Sequence, residues 1–360
     1  MEKFIIYSDM KILFLTAGDA TVASSRIRVY QYVPYLQRAW IRCIIIPITN
    51  ARQEHKSRTW KLIKRRFNSG IRYFKIPFYS IVCDVVFIQK VLLPIGIQNL
   101  IRTLNSNIVF DFDDAIWLWY QSCAEPSSAV RRRLLRHTIE RSKYVITLEN
   151  DYLKKFALKF TRNILMVTGP VDCKRLFPKR EKENKNIVIG WIGSPPNTPY
   201  LKPLFNVFKR ISENHPNVII ELVGASNLKI EGVNLVIKQW CLDTEVENLH
   251  DFDIGIMPLP DDKWTRGKGG YKLLQYMAVG IPCIASPVGI NSILIREDVN
   301  GYLANSEDEW YEKLEILIKN RVLRESMGAN GRKLVEEQYS LEAAVPKLIK
   351  LVKRVGTKQP

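Results

Sequence analysis

Two absences bound the chain before any motif is read. No apolar run is long enough to cross a bilayer; the first candidate, Phe4–Leu15, is interrupted by Ser8, Asp9 and Lys11, which excludes both a span and a signal-peptide core. Metal-binding and disulfide spacings are also missing. The six cysteines (Cys43, Cys83, Cys123, Cys173, Cys241, Cys283) form no C-x-x-C pair. The four histidines (His55, His137, His215, His250) fall outside every motif described below. The thiols are therefore expected to be reduced and buried, and the protein cytoplasmic.

Acidic residues are scarce in the first half. Residues 1–168 hold 27 Lys/Arg against 12 Asp/Glu, so +15 of the net +18 lies there, a field that favours anionic partners. The densest run, Arg52 to Lys75, sets Lys56, Arg58, Lys61, Lys64, Arg65 and Arg66 around Trp60, Leu62, Ile63 and Phe67. This predicts a basic, partly amphipathic helix suited to an anionic membrane surface, with a peripheral location at the inner face; a solvated helix face is the alternative. No nucleic-acid motif accompanies the charge, and nucleic acid is not an expected partner.

With 360 residues, 46% hydrophobic and 25% charged, the chain has the length and balance of two soluble α/β domains. Short β-branched runs alternate with helical patterns, as parallel sheets require. Ile12–Leu15, Cys43–Ile48, Val85–Ile88, Ile108–Phe110 and Val145–Thr147 form a first set of strands, with helices over Ser25–Arg38, Ile95–Leu104 and Ser128–Arg141. Pro34 should kink or shorten the first helix. A second set, Ile187–Trp191, Val218–Leu222, Leu235–Ile237, Ile254–Met257 and Cys283–Ala285, follows a polar stretch read as a linker. The expected organisation is a first domain over 1–168, a linker over 169–186, a second domain over 187–339, and a C-terminal helix over 340–360 that packs back on the first domain.

The most informative segment runs from Arg266 through Gly267, Lys268, Gly269 and Gly270 to Ser286. A glycine-rich loop opening a helix exposes backbone N–H groups and the positive end of the helix dipole, where a phosphate is stabilised. Lys268 and Lys272 would reinforce that site; a plain turn before a core helix explains the glycines alone. Gly193 and Ser194, after another strand, can approach the same ligand, or simply turn the chain. In the first half, Asp111, Asp113 and Asp114 end a buried strand where α/β sheets form their clefts. Alternation would set Asp111 and Asp113 on one side and Asp114 on the other. Asp113 or Asp114 could orient or deprotonate an acceptor hydroxyl; helix capping or an ion pair is the structural alternative. Arg26 and Arg28, in the loop after the first strand, would be available to an anion, with Ser24 or Ser25 as a helix cap and Gln89 and Lys90 nearby.

The series Asp251–Pro260, Lys272–Ser286, Val288–Ile290 and Asn300–Tyr302 resembles the family 4, or group 1, glycosyltransferases, as a divergent member. The resemblance implies the GT-B fold: two Rossmann-like doubly wound α/β domains facing across a cleft. It also implies a nucleotide-diphosphate-sugar donor held by the second domain, retention of anomeric configuration, and no required metal or other cofactor. By the same resemblance, Trp240 lies where relatives hold the nucleobase; core packing is the alternative, and favoured, role for its ring. Members commonly carry two glutamates eight residues apart, and Gly267 and Gln275 stand at those positions here. Gln275 can still hydrogen-bond ribose hydroxyls. Arg266, Lys268 and Lys272 would then stabilise the departing diphosphate, with Arg26, Asp113 and Asp114 on the acceptor side. The expected function is hexosyl transfer to a cell-envelope glycan or lipid-linked saccharide. The alternatives are a nucleotide-sugar-binding protein without transferase activity, or an epimerase or hydrolase on the same fold.

Overall fold

The computed structural model describes residues 10–48, 74–118, 128–178 and 186–357. The chain divides into two compact units. Unit 1 comprises Met1–Pro170 together with Leu341–Pro360, and unit 2 comprises Val171–Ser340.

Unit 1 is built on a parallel six-stranded sheet ordered β2-β1-β3-β4-β5-β6. Its strands are β1 (Met10–Thr16), β2 (Ile41–Pro47), β3 (Val85–Gln89), β4 (Ile108–Asp111), β5 (Tyr144–Thr147) and β6 (Ile164–Met166). The helices are α1 (Ala23–Arg28), α2 (Val33–Arg38), α3 (helical over residues 74–82), α4 (Ile95–Leu104), α5 (Ser128–Arg141) and α6 (Asp151–Ala157). The central strands read as continuous apolar runs because both sheet faces are covered. Ile12, Phe14, Val85, Phe87, Val109 and Ile146 pack against Tyr32, Leu36 and the last helix of the chain, while Leu13, Leu15, Val86 and Ile88 are buried on the opposite face.

The helix expected over Ser25–Arg38 is interrupted. Its backbone leaves α-helical geometry at Val29, passes through a tighter turn at Tyr30–Tyr32, and restarts as α2 with Pro34 in its first turn, where a missing N–H costs nothing. Ser24 and Ser25 lie inside α1 rather than capping it. The basic run expected to be helical lies almost entirely outside the described residues; its last members, Phe74 and Lys75, are described, and both are helical.

Unit 2 repeats the plan with strand order β12-β11-β10-β7-β8-β9. Its strands are β7 (Ile187–Ile192), β8 (Val218–Val223), β9 (Leu235–Lys238), β10 (Ile254–Met257), β11 (Cys283–Ala285) and β12 (Gly301–Leu303). Its helices are α7 (Phe205–Asn214), α8 (Glu245–Asp251), α9 (Tyr271–Ala278), α10 (Asn291–Leu294), α11 (Glu307–Lys319) and α12 (Arg321–Leu334). Ser306 and Glu309 form a reciprocal capping box at α11, and Asn320 caps α12, so these starts are fixed locally by sequence. Only the second part of the helix expected over Tyr200–Asn214 is α-helical; prolines at 195, 196, 199 and 203 hold Pro195–Leu204 in 3₁₀ turns.

One sheet face packs Ile189, Trp191, Ile220, Leu222, Ile254 and Ile256 against α7 and α11. The other is shaped by a paired register, Gly190 opposite Gly255. A Cβ on Gly190 would stand 2.0 Å from the Phe252 ring, and one on Gly255 would stand 2.4 Å from Tyr276. The two glycines thus make a bare strip on which these rings lie. Tyr276 Oη accepts the Ile192 amide at 3.0 Å and donates to the Ile256 carbonyl at 3.3 Å. This one side chain ties α9 to both β7 and β10.

The final helix, α13 (Leu341–Gly356), belongs to unit 1, where Leu341, Val345, Leu348, Val352 and Val355 complete the core. Residues 171–178, expected to begin a linker, are instead pinned within unit 2. Val171 and Leu176 are buried, and Arg332 donates to the carbonyls of Cys173 at 3.1 Å and Leu176 at 2.5 Å. Cys83 and Cys283 are buried as expected, whereas Cys43 and Cys173 are half-buried and Cys241 is exposed; all five are free thiols, and Cys123 lies outside the described residues.

Candidate functional site

In an open parallel sheet, ligands bind beyond the carboxyl ends of the strands where strand order reverses. In unit 2 that point lies between β7 and β10. Gly193 and Ser194 follow β7, while the loop from Pro258 to Gly270 follows β10 and runs into α9. Tyr276, bound to both strands, sets where α9 begins.

Gly270 adopts φ +65° at the N-cap of α9, and a Cβ there would come within 2.7 Å of Leu294 Cδ1 and 2.8 Å of Ile290 Cγ2. Only glycine suits both the left-handed backbone and the close approach. Gly289, at φ +58°, brings the loop after β11 against the backbone of Arg266. The Val288–Ile290 and Arg266–Gly270 motifs, separate in sequence, are therefore one packed structure.

Lys272 lies in the first turn of α9, with Nζ 4.5 Å from the centroid of the buried Trp191 ring. Lys268 Nζ lies 4.8 Å from the Trp264 ring. Part of Lys272 remains open to solvent, but protein surrounds it closely. Desolvation by burial, reinforced by the Lys268 charge, lowers its pKa to about 7. An amine so placed, at a helix N-terminus, is poised to gain from an arriving anion. Gln275 is buried one turn further along α9. Gly267 is buried in the turn Thr265–Gly267, whose Arg266 is exposed, and Gly269 is half-buried between Lys268 and the N-cap.

Two expected donor-side residues are already engaged. Arg266 makes a fork with Asp261, Nε to Oδ1 at 2.6 Å and Nη2 to Oδ2 at 2.8 Å, which lowers the pKa of Asp261 through hydrogen bonding. Trp240 donates from Nε1 to Glu245 Oε1 at 3.1 Å, and Arg175 Nη1 meets Glu245 Oε2 at 2.8 Å. The motif reading missed Arg175 and Glu245. Their 70-residue separation leaves no local signal beyond a buried glutamate on an amphipathic helix.

Unit 1 has its own reversal point, between β1 and β3. Lys90, directly after β3, adopts φ +61°, unusual for a side-chain-bearing residue. The resulting sharp turn sends its ammonium back to Asp113 Oδ1 at 2.8 Å and to Asp114 Oδ2. The strand ends at Asp111, so the expected alternation of the three aspartates does not hold: Asp113 and Asp114 share one partner. Burial opposes the Lys90 charge, but the two aspartates outweigh it and raise its pKa. Burial likewise works against the Asp113 carboxylate; Lys90, then Ser24, prevail and lower its pKa. Ser24 Oγ donates to Asp113 Oδ2 at 2.6 Å and accepts from Gln89 Nε2 at 2.8 Å. Ser25 Oγ accepts the Gly18 amide at 3.0 Å and donates to Gln89 Oε1 at 3.1 Å. The loop after β1 is thus sewn to β3 by serines that the sequence suggested only as caps.

Arg28, expected to face an anion, is instead buried in an ion pair with Asp111, Nε to Oδ2 at 3.0 Å, and donates to the carbonyls of Val167 and Gly169. Burial opposes its charge, and Asp111 outweighs that cost. Arg26 is half-buried and donates at 3.2 Å to the Ala20 carbonyl and at 3.4 Å to that of Thr21. Among the described residues, no group of three or more His, Cys, Asp or Glu is arranged to hold a metal ion, and no helix is long and apolar enough to cross a membrane.

Residues 173–334, nearly all of unit 2, match the family model described as Glycosyl transferases group 1. The chain is also similar to solved structures along most of its length. Sucrose-phosphate synthase (tll1590) from Thermosynechococcus elongatus matches with a TM-score of 0.74 at 14% identity, covering 96% of this chain and 99% of that one. Anabaena Alr3699/HepE, in complex with UDP and glucose, matches at 0.69 with 12% identity over 96% and 99%. The lipopolysaccharide outer core galactosyltransferase WaaB matches at 0.64 with 14% identity over 96% and 99%. At these identities the likeness shows the fold, which is GT-B. No curated protein matches the chain by sequence. The β7–β10 reversal point and the start of α9 both lie inside the matched residues.

Proposed function

We propose that the chain is a retaining glycosyltransferase that moves a hexosyl group from a nucleotide-diphosphate-sugar to a saccharide or lipid-linked acceptor of the cell envelope. The observation that supports this most is Lys272. In a group 1 glycosyl transferase unit, a partly desolvated amine stands in the first turn of α9, over Trp191 and beside Lys268, where strand order reverses. A diphosphate placed there meets the α9 amides and two lysines, and the charge that develops on it during transfer is stabilised electrostatically. No side chain on this reading needs a metal.

Gly193 and Ser194 would line the same ligand, Gln275 the ribose, and Trp240 the nucleobase edge, held in place by Glu245. Arg266 would act by orienting the loop through Asp261 rather than by direct contact. On the acceptor side, Asp113 rather than Asp114 would receive the acceptor proton, because Ser24 Oγ already donates to it and can relay between it and an incoming hydroxyl. Asp114 and Arg26 would position the acceptor. The match to WaaB, whose name states lipopolysaccharide galactosyl transfer, supports an envelope acceptor, and the UDP and glucose bound to Alr3699/HepE favour UDP-glucose as the first donor to try.

The test is a thermal-shift panel of UDP-, GDP-, ADP-, CMP- and dTDP-sugars with and without Mg²⁺, on wild type and on Lys268→Ala/Lys272→Ala. A ligand that binds only the native state raises its melting temperature. Selective stabilisation by one nucleotide sugar, lost in the double variant, is the expected result. No shift with any donor at saturation would overturn the reading. A shift without turnover across an acceptor panel would leave a binding protein, to which the absence of a carboxylate at Gly267 gives some support. Donor loss without any acceptor would indicate a hydrolase or epimerase.

A further inference from the structure

Asn291, the first residue of α10, is 1% exposed. Its Nδ2 donates to the Ser286 carbonyl at 3.1 Å, while Ser286 Oγ accepts the Leu259 amide at 3.0 Å. Turning the Asn291 amide over would set Oδ1 against that carbonyl, two acceptors face to face, so its orientation is fixed. Oδ1 is buried and meets no hydrogen-bond donor among the described residues. An acceptor left in that state costs stability, and a water or a ligand is what ordinarily meets it.

Its place narrows the choice. A Cβ added at Gly270 would stand 3.9 Å from Oδ1, so the oxygen lies beside the N-cap of α9. That eight-residue helix opens with no side-chain cap and no acidic residue in its first turn, which leaves its leading amides as donors for an anion. An acceptor without a donor and amides without a side-chain acceptor thus come together at Gly270. A ligand that satisfies both carries anionic oxygens with a hydroxyl next to them, and that is the chemistry of a sugar phosphate. We propose that Asn291 is a specificity-determining residue: Oδ1 accepts a hydrogen bond from a hydroxyl of the transferred hexose while the α9 amides take the diphosphate. This rests on the donor-site reading and adds to it the group that tells a nucleotide sugar from the bare nucleotide.

The test is calorimetric titration of the full chain with two pairs of ligands, UDP with UDP-glucose and GDP with GDP-mannose, on wild type, Asn291→Leu and Asn291→Ala. Leucine keeps the volume and removes the acceptor; alanine, which leaves room rather than strain, serves where leucine disturbs the fold. The nucleoside diphosphate lacks the hydroxyl that Asn291 reads, so its affinity is expected to stay within about twofold while that of the nucleotide sugar falls about tenfold, the effect of one hydrogen bond lost from a buried site. Equal weakening of both members of a pair would make Asn291 a support for α9 alone, and an unchanged ratio would mean that a buried water alone meets Oδ1; either result overturns the proposal. So would tighter UDP binding by the variants, which would make Oδ1 a competitor for the α9 amides. Failure of wild type to bind either pair would bring down the donor-site reading itself, whereas binding of the diphosphate with no sugar-specific loss in the variants brings down only the role of Asn291.

Discussion

Lys272 stacks on the face of Trp191, its Nζ 4.5 Å from the ring centroid, so the helix that opens the proposed donor site is joined to the strand beside it by a cation over an indole. A ring face attracts the charged amine, whereas burial, and after it the Lys268 charge, lowers the pKa to about 7.

Donor binding should therefore take up a proton. A diphosphate beside Lys272 favours the ammonium and raises its pKa. Below that of the free protein, near 7, the amine is already charged and affinity is flat; above it, binding must recruit a proton. Affinity for UDP is expected to fall by up to about tenfold per pH unit above pH 7, over the span between the free and bound pKa values. Calorimetry in buffers of different ionisation enthalpy measures the uptake directly, and Lys272→Met should abolish it. Equal heats in all buffers at pH 8 would refute the assignment.

Lys90→Met leaves Asp113 and Asp114 without their shared cation. Since roughly a fifth of each side chain remains exposed, the loss is discounted to about 1–3 kcal/mol at neutral pH. The folded-state pKa of Asp113 is depressed, so its contribution is present above the unfolded value near 3.8 and fades as pH falls through the folded one. Urea denaturation of both proteins should show a gap at pH 7 that narrows towards pH 3. A gap that widens in acid would contradict the ion-pair account.

Arg28→Lys tests whether geometry or charge matters in unit 1. Arg28 holds Asp111 and two backbone carbonyls at once, which a point-charged ammonium cannot do. A loss of about 2–4 kcal/mol is expected for lysine and no less for methionine, which strands the aspartate. A lysine variant within about 0.5 kcal/mol of wild type in denaturant melts would show that charge alone suffices.

At Gly190, alanine has no room beside Phe252. Gly190→Ala should cost about 1–3 kcal/mol and, through displaced rings, weaken UDP binding as well. Unchanged stability would mean that the ring moves freely, and with it the anchor of α9.

Much of the fold was legible because strands covered on both faces must be apolar throughout: Ile108–Phe110, Ile254–Met257 and Cys283–Ala285 read as buried before their partners were known. Ile164–Met166 and Gly301–Leu303 were missed, being three residues each and too short for a period to show. The Arg266–Lys272 loop was legible for the same local reason that makes it a site, glycines ahead of a helix. What could not be read was pairing at a distance. Arg28 with Asp111 is an 83-residue separation, and Lys90 with Asp114 spans 24, so Arg28, judged open to ligands, proved to be a buried ion-pair partner. Ser24 and Ser25 misled in the opposite way: serine before a helix suggests a cap, and only the position of Gln89 on the next strand shows why two are needed.

Because α13 lies in the core of unit 1 although it follows all of unit 2 in the chain, order of synthesis and order of completion are reversed. On a ribosome, the second unit has all of its residues once Ser340 has emerged, while the first still lacks Leu341, Val345, Leu348, Val352 and Val355 and must wait with one sheet face only partly covered, by Tyr32 and Leu36. Late damage to the message, or proteolysis at the last helix, would therefore strike the half of the molecule that was made first.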